Sequence, residues 1–288
     1  MLSNDGGQWN PETGMTEADS YEELMDSCRG VGKVLAHAEG SDYSYLKGDI
    51  TRAYNPSKVK DVRRSFVFLD RKSADIPAVL VVRDHVVPSS PAFSRTWLLH
   101  SIEEPQLGPD WFEVSRTKDG ETGMLHCDIL SGGSPVKIGG PGKEFWVDGE
   151  NYPNAPVRYP DAANERGSWR VEEHISGEDA TFFNVIQISS TARRKWLRVK
   201  RISANGVDGL SVGGRIVVFS SDGDRIDDNF TVRVPGRKRA NMLFTDLASG
   251  KWTLTAGSYV TEFNVGENGC ISIEMPAGEA VITKINPE

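Results

Sequence analysis

"KWTLTAGSYVTEFNVGENGCISIEMPAGEAVITKI" (Lys251–Ile285) is the stretch on which the fold turns. It holds four short runs, KWTLTAG, SYVTEFNVG, CISIEMP and AVITKI, with Gly, Asn and Pro between them. Runs of this length cut apart by turn formers read as antiparallel strands. Upstream, GRIVVFSSDGDR, FTVRVP and NMLFTDL continue the series, so compact strands follow one another at steady spacing to the end of the chain. That rhythm predicts a β-sandwich.

Further toward the N-terminus the runs persist but the loops lengthen. RRSFVFLD (Arg63–Asp70), PAVLVVRDHVV (Pro77–Val87) and RTWLLHSI (Arg95–Ile102) are separated by Asp, Ser and Pro. FWVDGENY carries Asp148-Gly149, a two-residue hairpin signal. SWRVEEHI alternates, with Trp169, Val171 and Ile175 on one face and Arg170, Glu172 and His174 on the other. A boundary falls near residue 190. The predicted fold is all-β: a large antiparallel, supersandwich-like β-sandwich over 1–190, then a smaller C-terminal β-sandwich over 191–288. One helix is expected, since Ser20 and Glu23 form a capping-box pattern ahead of Tyr21, Leu24, Met25 and Cys28 at helical spacing. Gly30 and Gly32 end it.

Composition narrows the function classes. The 288 residues carry a formal net charge of −8, which opposes non-specific nucleic-acid binding. No apolar run approaches the roughly 18 residues of a membrane helix, so neither nucleic acid nor membrane is an expected partner. No basic, apolar leader opens the chain. Cys28, Cys127 and Cys270 are odd in number and far apart, which rules out a disulfide framework or a CxxC metal knuckle. Cys127, alternating with Leu125 and Ile129, reads as a buried free thiol.

Three features could carry chemistry. His37, His85, His100, His126 and His174 show no metal-ligand spacing, so no metal or other cofactor is expected. His85 and His100 lie in strand runs, either as a base or donor on a sheet surface or as histidines satisfied by backbone. Two basic clusters, ARRKWLRVKR (Ala192–Arg201) and RVPGRKRAN (Arg233–Asn241), stand out. The first interleaves Trp196 with Arg194, Arg198 and Lys200. It would fork the carboxylates or sulfates of an acidic polysaccharide, or serve as a charged edge that resists strand pairing. Finally, the irregular stretch Gly149–Trp169 offers Tyr152, Arg158 and Tyr159 to a sugar acid, or packs as an Ω-loop. There is no catalytic serine elbow and no phosphate loop.

Whole phrases then resemble one family. DYSYLKGDITRAYNPSKVKDVRRSFVFL, AVLVVRDHVVPSSPAFSRTWLLHSIEEP, IGGPGKEFWVDGENYP, GSWRVEEH and FFNVIQI stand in the order and at the intervals of heparinase II/III-type polysaccharide lyases. The likeness runs from the opening residues through Ile188 and more loosely to the end. It implies a helical toroid followed by a large and a small β-sandwich. It also implies β-elimination on uronic-acid glycans, in which Tyr and His move the protons and a polar residue or His neutralises the carboxylate. Some members hold a structural metal in the large sandwich. MLSNDGGQ resembles a stretch just after the family's sandwich-borne catalytic and metal positions. The resemblance therefore assigns no catalytic or metal residue here. It predicts that the chain is the C-terminal part of a longer lyase and inactive without its N-terminal helical toroid. By the same resemblance the protein would be periplasmic or secreted. A stand-alone carbohydrate-binding or structural module is the competing expectation.

Overall fold

The computed structural model describes residues 32–147, 149–152, 167–176, 180–190, 195–236 and 239–285. Among them strand is the dominant regular structure, with a single 3-10 turn at Thr51–Ala53 and no α-helix. The all-β expectation holds. The helix expected over Ser20–Cys28 lies outside the described residues.

The first strands are β1 (Lys33–Glu39), β2 (Tyr43–Asp49), β3 (Val59–Asp70), β4 (Ala78–Pro88), β5 (Arg95–Ser101), β6 (Gln106–Leu107) and β7 (Trp111–Lys118). Then come β8 (Glu121–Ile129), β9 (Pro135–Gly139), β10 (Trp146–Val147), β11 (Glu150–Asn151), β12 (Trp169–Ile175) and β13 (Ala180–Ser189). The remainder are β14 (Val199–Ala204), β15 (Val207–Val212), β16 (Arg215–Ser220), β17 (Phe230–Val234) and β18 (Ala240–Phe244). The chain finishes with β19 (Gly250–Ala256), β20 (Tyr259–Val265), β21 (Ile271–Met275) and β22 (Gly278–Ile285). Two compact units result. The first ends at Trp196; the second runs from Leu197 onward and also takes in Val34–Gly48 and Ser65–Leu69.

In the first unit a sheet ordered β3-β4-β13-β8-β7-β6 is accompanied by a three-stranded sheet, β5-β12-β9. Strands β4 and β13 pair antiparallel, with Asn184 opposite Val82. Both are buried on both faces over most of their length, so their apolar residues do not alternate as on an exposed strand, and the polar Arg83, Asp84 and His85 of β4 and Asn184 and Gln187 of β13 are buried with them. The β10–β11 hairpin forms as Asp148-Gly149 predicts, with Val147 opposite Glu150 and Gly149 at φ +90.

Strand β12 keeps its alternation, with one exception. Glu173 shares the face of Trp169 and Val171 and is 0% exposed. Its Oε2 accepts a hydrogen bond of 3.1 Å from Asn184 Nδ2 on β13, which ties the three-stranded sheet to the large one. Burial pushes the Glu173 carboxyl pKa up, against the hydrogen bonds from Ser131 and Asn184. On the other face Glu172 takes Arg170 at 2.6 Å and His174 at 2.9 Å, a ladder of cross-compensating charges.

The second unit is a sandwich of two sheets, β14-β15-β16-β18-β21 and β17-β22-β19-β20. Its core gathers Phe230, Phe244, Met242, Trp252, Leu254 and Ile282 from both. Strands β16 and β18 run parallel, because the chain crosses to the other sheet as β17 between them. Gly269 sits at φ +68 against the Arg225 guanidinium, which donates to the carbonyls of Glu267 and Asn268, and any Cβ there would meet Arg225 Nη1.

A buried ion pair anchors β2 in this unit. Lys47, 6% exposed, reaches Asp246 Oδ1 at 2.6 Å and the Gly223 carbonyl at 2.7 Å. The same carboxylate accepts from Tyr45 Oη at 3.3 Å and from the Ser220 amide at 3.1 Å.

Two outcomes follow from these buried charges. Lys47→Met leaves Asp246 buried without its cation and should cost about 3–5 kcal/mol in urea unfolding followed by tryptophan fluorescence; a loss under about 1 kcal/mol would contradict the anchoring role. Glu173 has a raised pKa in the folded state, so its contribution is present at acid pH and is lost as pH rises through that pKa. Glu173→Gln, which cannot ionise, should therefore gain stability over the natural chain at neutral pH and lose that advantage near pH 4.

Candidate functional site

Strand β14 closes one edge of the five-stranded sheet and β17 one edge of the four-stranded sheet. Between them lies an open cleft of about 690 Å³, within the size range of small-ligand sites. Lys200 and Arg201 on β14 and Arg233 on β17 line it, opposite Glu279 of β22. Alternation explains the arrangement. Phe230, Val232 and Val234 of β17 turn into the core, which leaves Thr231 and Arg233 outward. On β14, Ile202 and Ala204 pack against the same core.

The cleft thus draws on both basic clusters singled out in the sequence, one from each sheet. Its three cations are not equivalent. Arg201 forks Asp208, with Nε and Nη2 each 2.9 Å from a carboxylate oxygen, so its charge is balanced from within. Arg233 stands opposite Glu279 in the β17–β22 register. Lys200 has no ion-pair partner among the described residues. Hydroxyl and amide groups of Ser203, Asn205, Ser211, Asn229 and Thr231 complete the lining.

The remaining residues expected to bind sugar are scattered. The basic stripe is not a strand before Val199: residues 195–198 are irregular, and Arg194 lies outside the described residues. Arg198 is exposed. Trp196 is occupied by protein. Its indole stacks on His126 at 5.1 Å between ring centroids, and its Nε1 donates to Glu113. Tyr152 is 56% exposed, its hydroxyl donating to Glu150 at 3.1 Å. Arg158 and Tyr159 lie outside the described residues. From the second basic cluster, Arg239 pairs with Glu274 at 3.4 Å and covers the Tyr259 ring.

His126 forms a second polar centre, in the first unit. Its ring lies between Trp111, at 5.6 Å, and Trp196. Nδ1 is 3.0 Å from Glu113 and Nε2 is 3.4 Å from Asp128, whose other oxygen accepts from Gln187 at 3.0 Å. A turn builds this cage. Asp119 and Gly120 both have positive φ, as a two-residue primed turn demands, and set Lys118 opposite Glu121. That register places Glu113 beside His126 and Trp111 beside Asp128. Burial alone would lower the His126 pKa, but hydrogen bonds and charge from Asp128 and Glu113 outweigh it and raise it.

His85 is buried at the end of β4. His100 is exposed beside an apolar groove, its pKa lowered by partial burial and then by Arg170. Cys127 is the expected buried thiol, its pKa pushed well up by burial. Among the described residues no three His, Cys, Asp or Glu side chains converge as a metal-ligand set. No helix among them is long and apolar enough to cross a membrane.

Residues 201–284 match the family described as heparinase II C-terminal domain. The C-terminal portion of the chain is therefore similar to the heparinase II C-terminal domain. The match falls in the second unit, beyond the phrases that carry the resemblance up to Ile188. Two solved structures are similar in part. One is a heparan sulfate lyase HepC mutant from Pedobacter heparinus, with TM-score 0.41 and 14% identity over 66% of this chain and 28% of that one. The other is heparinase III, with TM-score 0.40 and 12% identity over 65% of this chain and 26% of that one. The chain spans little more than a quarter of the length of either. No curated protein matches.

The cage makes a signed prediction. With its folded-state pKa raised, His126 contributes stability that is complete below about pH 6.5, the unfolded value, and is lost as pH rises through the folded value. His126→Gln should flatten the melting temperature between pH 6 and 9, while the natural chain melts progressively lower. Parallel curves would show that the imidazole is neutral throughout.

Proposed function

We propose that this chain is the β-sandwich portion of a heparinase II/III-like lyase for uronic-acid polysaccharides, and that its own task is to hold the acidic glycan. One observation carries the reading. Two basic segments far apart in sequence meet on a single cleft, in the unit that matches the heparinase II C-terminal domain.

The chemistry assigned to the whole enzyme is β-elimination. The C5 proton of a uronate leaves, the C4–O4 bond breaks, a C4=C5 double bond forms and the departing oxygen is protonated. That needs a base, an acid and a group neutralising the carboxylate, all at one sugar. The cleft offers cations and hydrogen-bond donors but no His or Tyr among its lining residues. His126 is enclosed by two indoles and two carboxylates, away from the cleft lining. In this proposal the reactive groups sit on a helical partner domain, and the chain contributes affinity and orientation.

Titration calorimetry with uronic-acid oligosaccharides tests the binding role. Lys200→Ala combined with Arg233→Ala should weaken binding about tenfold or more, as loss of charge-assisted hydrogen bonds does, and leave the melting temperature nearly unchanged because both side chains are exposed. Incubated alone with such glycans, the chain should generate no ultraviolet absorbance from unsaturated uronate. Product formation by the chain alone would refute the division of labour.

A further inference from the structure

We infer that the Asn205-Gly206 turn is a site of spontaneous deamidation, and that the conversion sets a new carboxylate on the β14–β17 cleft. The modification stands on the geometry of the turn. Its effect on ligand binding rests on the reading of the cleft as a glycan site.

The chain contains two Asn-Gly steps, Asn205-Gly206 and Asn268-Gly269. The reaction open to each is the same. The glycine amide nitrogen attacks the Asn Cγ, a C–N bond forms, and the Cγ–Nδ2 bond breaks. Ammonia leaves, carrying the proton lost from the glycine amide. Water then opens the cyclic imide at either carbonyl, which yields aspartate or isoaspartate. Glycine permits the attack because no Cβ obstructs it. The peptide plane between the two residues must also turn until the nitrogen meets Cγ, and here the two steps differ.

Asn205 and Gly206 form the two-residue connection between β14 and β15, with Ala204 opposite Val207. Both are exposed, Gly206 has φ +77, and nothing lies within 4 Å of the place a Cβ would take there. Among the described residues neither the Asn205 carboxamide nor the Gly206 amide has a hydrogen-bond partner. The Gly206 carbonyl accepts from the Ser221 amide at 3.1 Å, which fixes the next peptide plane and leaves this one to rotate.

At Asn268-Gly269 the same plane is pinned at both its polar atoms. The Asn268 carbonyl accepts from Arg225 Nη1 at 2.9 Å, and the Gly269 amide donates to the Gly266 carbonyl at 2.9 Å. The Asn268 side chain is held too, its Oδ1 accepting from the Cys270 amide at 3.2 Å. Rotation there breaks these bonds and drives the plane against the Arg225 guanidinium. One Asn-Gly step is therefore open and the other locked, within one unit of the protein.

Asn205 lines the cleft together with Lys200, Arg201 and Arg233. Deamidation replaces a neutral hydrogen-bonding group with a negative charge at that surface, and isoaspartate adds a carbon to the backbone of the turn. An anionic ligand meets repulsion where it met a donor. The cleft thus loses affinity as the protein ages.

The test incubates the full chain at mildly alkaline pH and follows both steps by mass spectrometry of tryptic peptides. Cleavage after Arg201 and Arg215 isolates Asn205 in Ile202–Arg215, and Asn268 falls in Trp252–Lys284. Asn205 should convert about tenfold faster than Asn268, the scale set by the hydrogen bonds that Asn268 must break. Calorimetry with uronic-acid oligosaccharides should show the aged chain binding about threefold more weakly, the effect of one exposed charge, and less so at high salt. Asn205→Asp should reproduce that loss without ageing. Asn205→Gln, whose imide would need a larger and slower-forming ring, should show no loss with time whatever its starting affinity.

Equal conversion at the two steps, faster conversion at Asn268, or an intact Asn205 under conditions that convert a short peptide of the same turn would overturn the modification site. Conversion at Asn205 with ligand binding unchanged would leave the modification standing and overturn the cleft as the glycan site.

Discussion

A lysine taken out of water sets the terms for the second unit. Lys47 is enclosed, and among the described residues its ammonium is matched by Asp246 and one backbone carbonyl. Such a pair gains little net energy over an apolar pair, but it tolerates the loss of neither partner. Asp246 in turn accepts from Tyr45 and from the Ser220 amide, so its oxygens fix the end of β16, the segment after β18 and strand β2 together. Burial and the Asp246 charge push the Tyr45 phenol pKa upward, so it stays a neutral donor. A segment from the start of the chain is thereby part of a unit formed mostly by its end.

The same economy governs the sandwich edges. Two open sheets leave β14 and β17 with unpaired backbone, which invites pairing with another chain. Charged side chains on both strands oppose that pairing. They are also the groups that give the cleft its cationic character, so the protective and ligand-binding readings of the basic clusters describe the same residues. Balance within the cleft keeps this from becoming a broad positive patch, since Arg201 is forked by Asp208.

The first unit places its polar groups with equal care on opposite faces of one sheet. Glu173 and Asn184 lie between the sheets, where burial raises the carboxyl pKa and a hydrogen bond from Asn184 partly offsets it. His126 lies on the far face, where two carboxylates raise its pKa between two indoles. Burial acts on both groups. Both pKa values rise, but for different reasons: burial raises that of Glu173 against its hydrogen bonds, and the two carboxylates raise that of His126 against burial.

What the sequence determined by itself was everything of short range. Alternation in β12 and β17 and the hairpin at Asp148-Gly149 follow from local pattern, because side chains alternate along a strand whatever it packs against. The Asp119-Gly120 turn is also local, and its register places Glu113 beside His126. Tertiary structure alone decided that Trp196 would close the His126 cage, that Glu173 would be the buried exception on an apolar face, and that Lys200 and Arg233 would share a cleft. In each case the partner is remote in sequence or on another sheet. Local pattern says which face a residue takes, but only the packing of sheets says what meets it there.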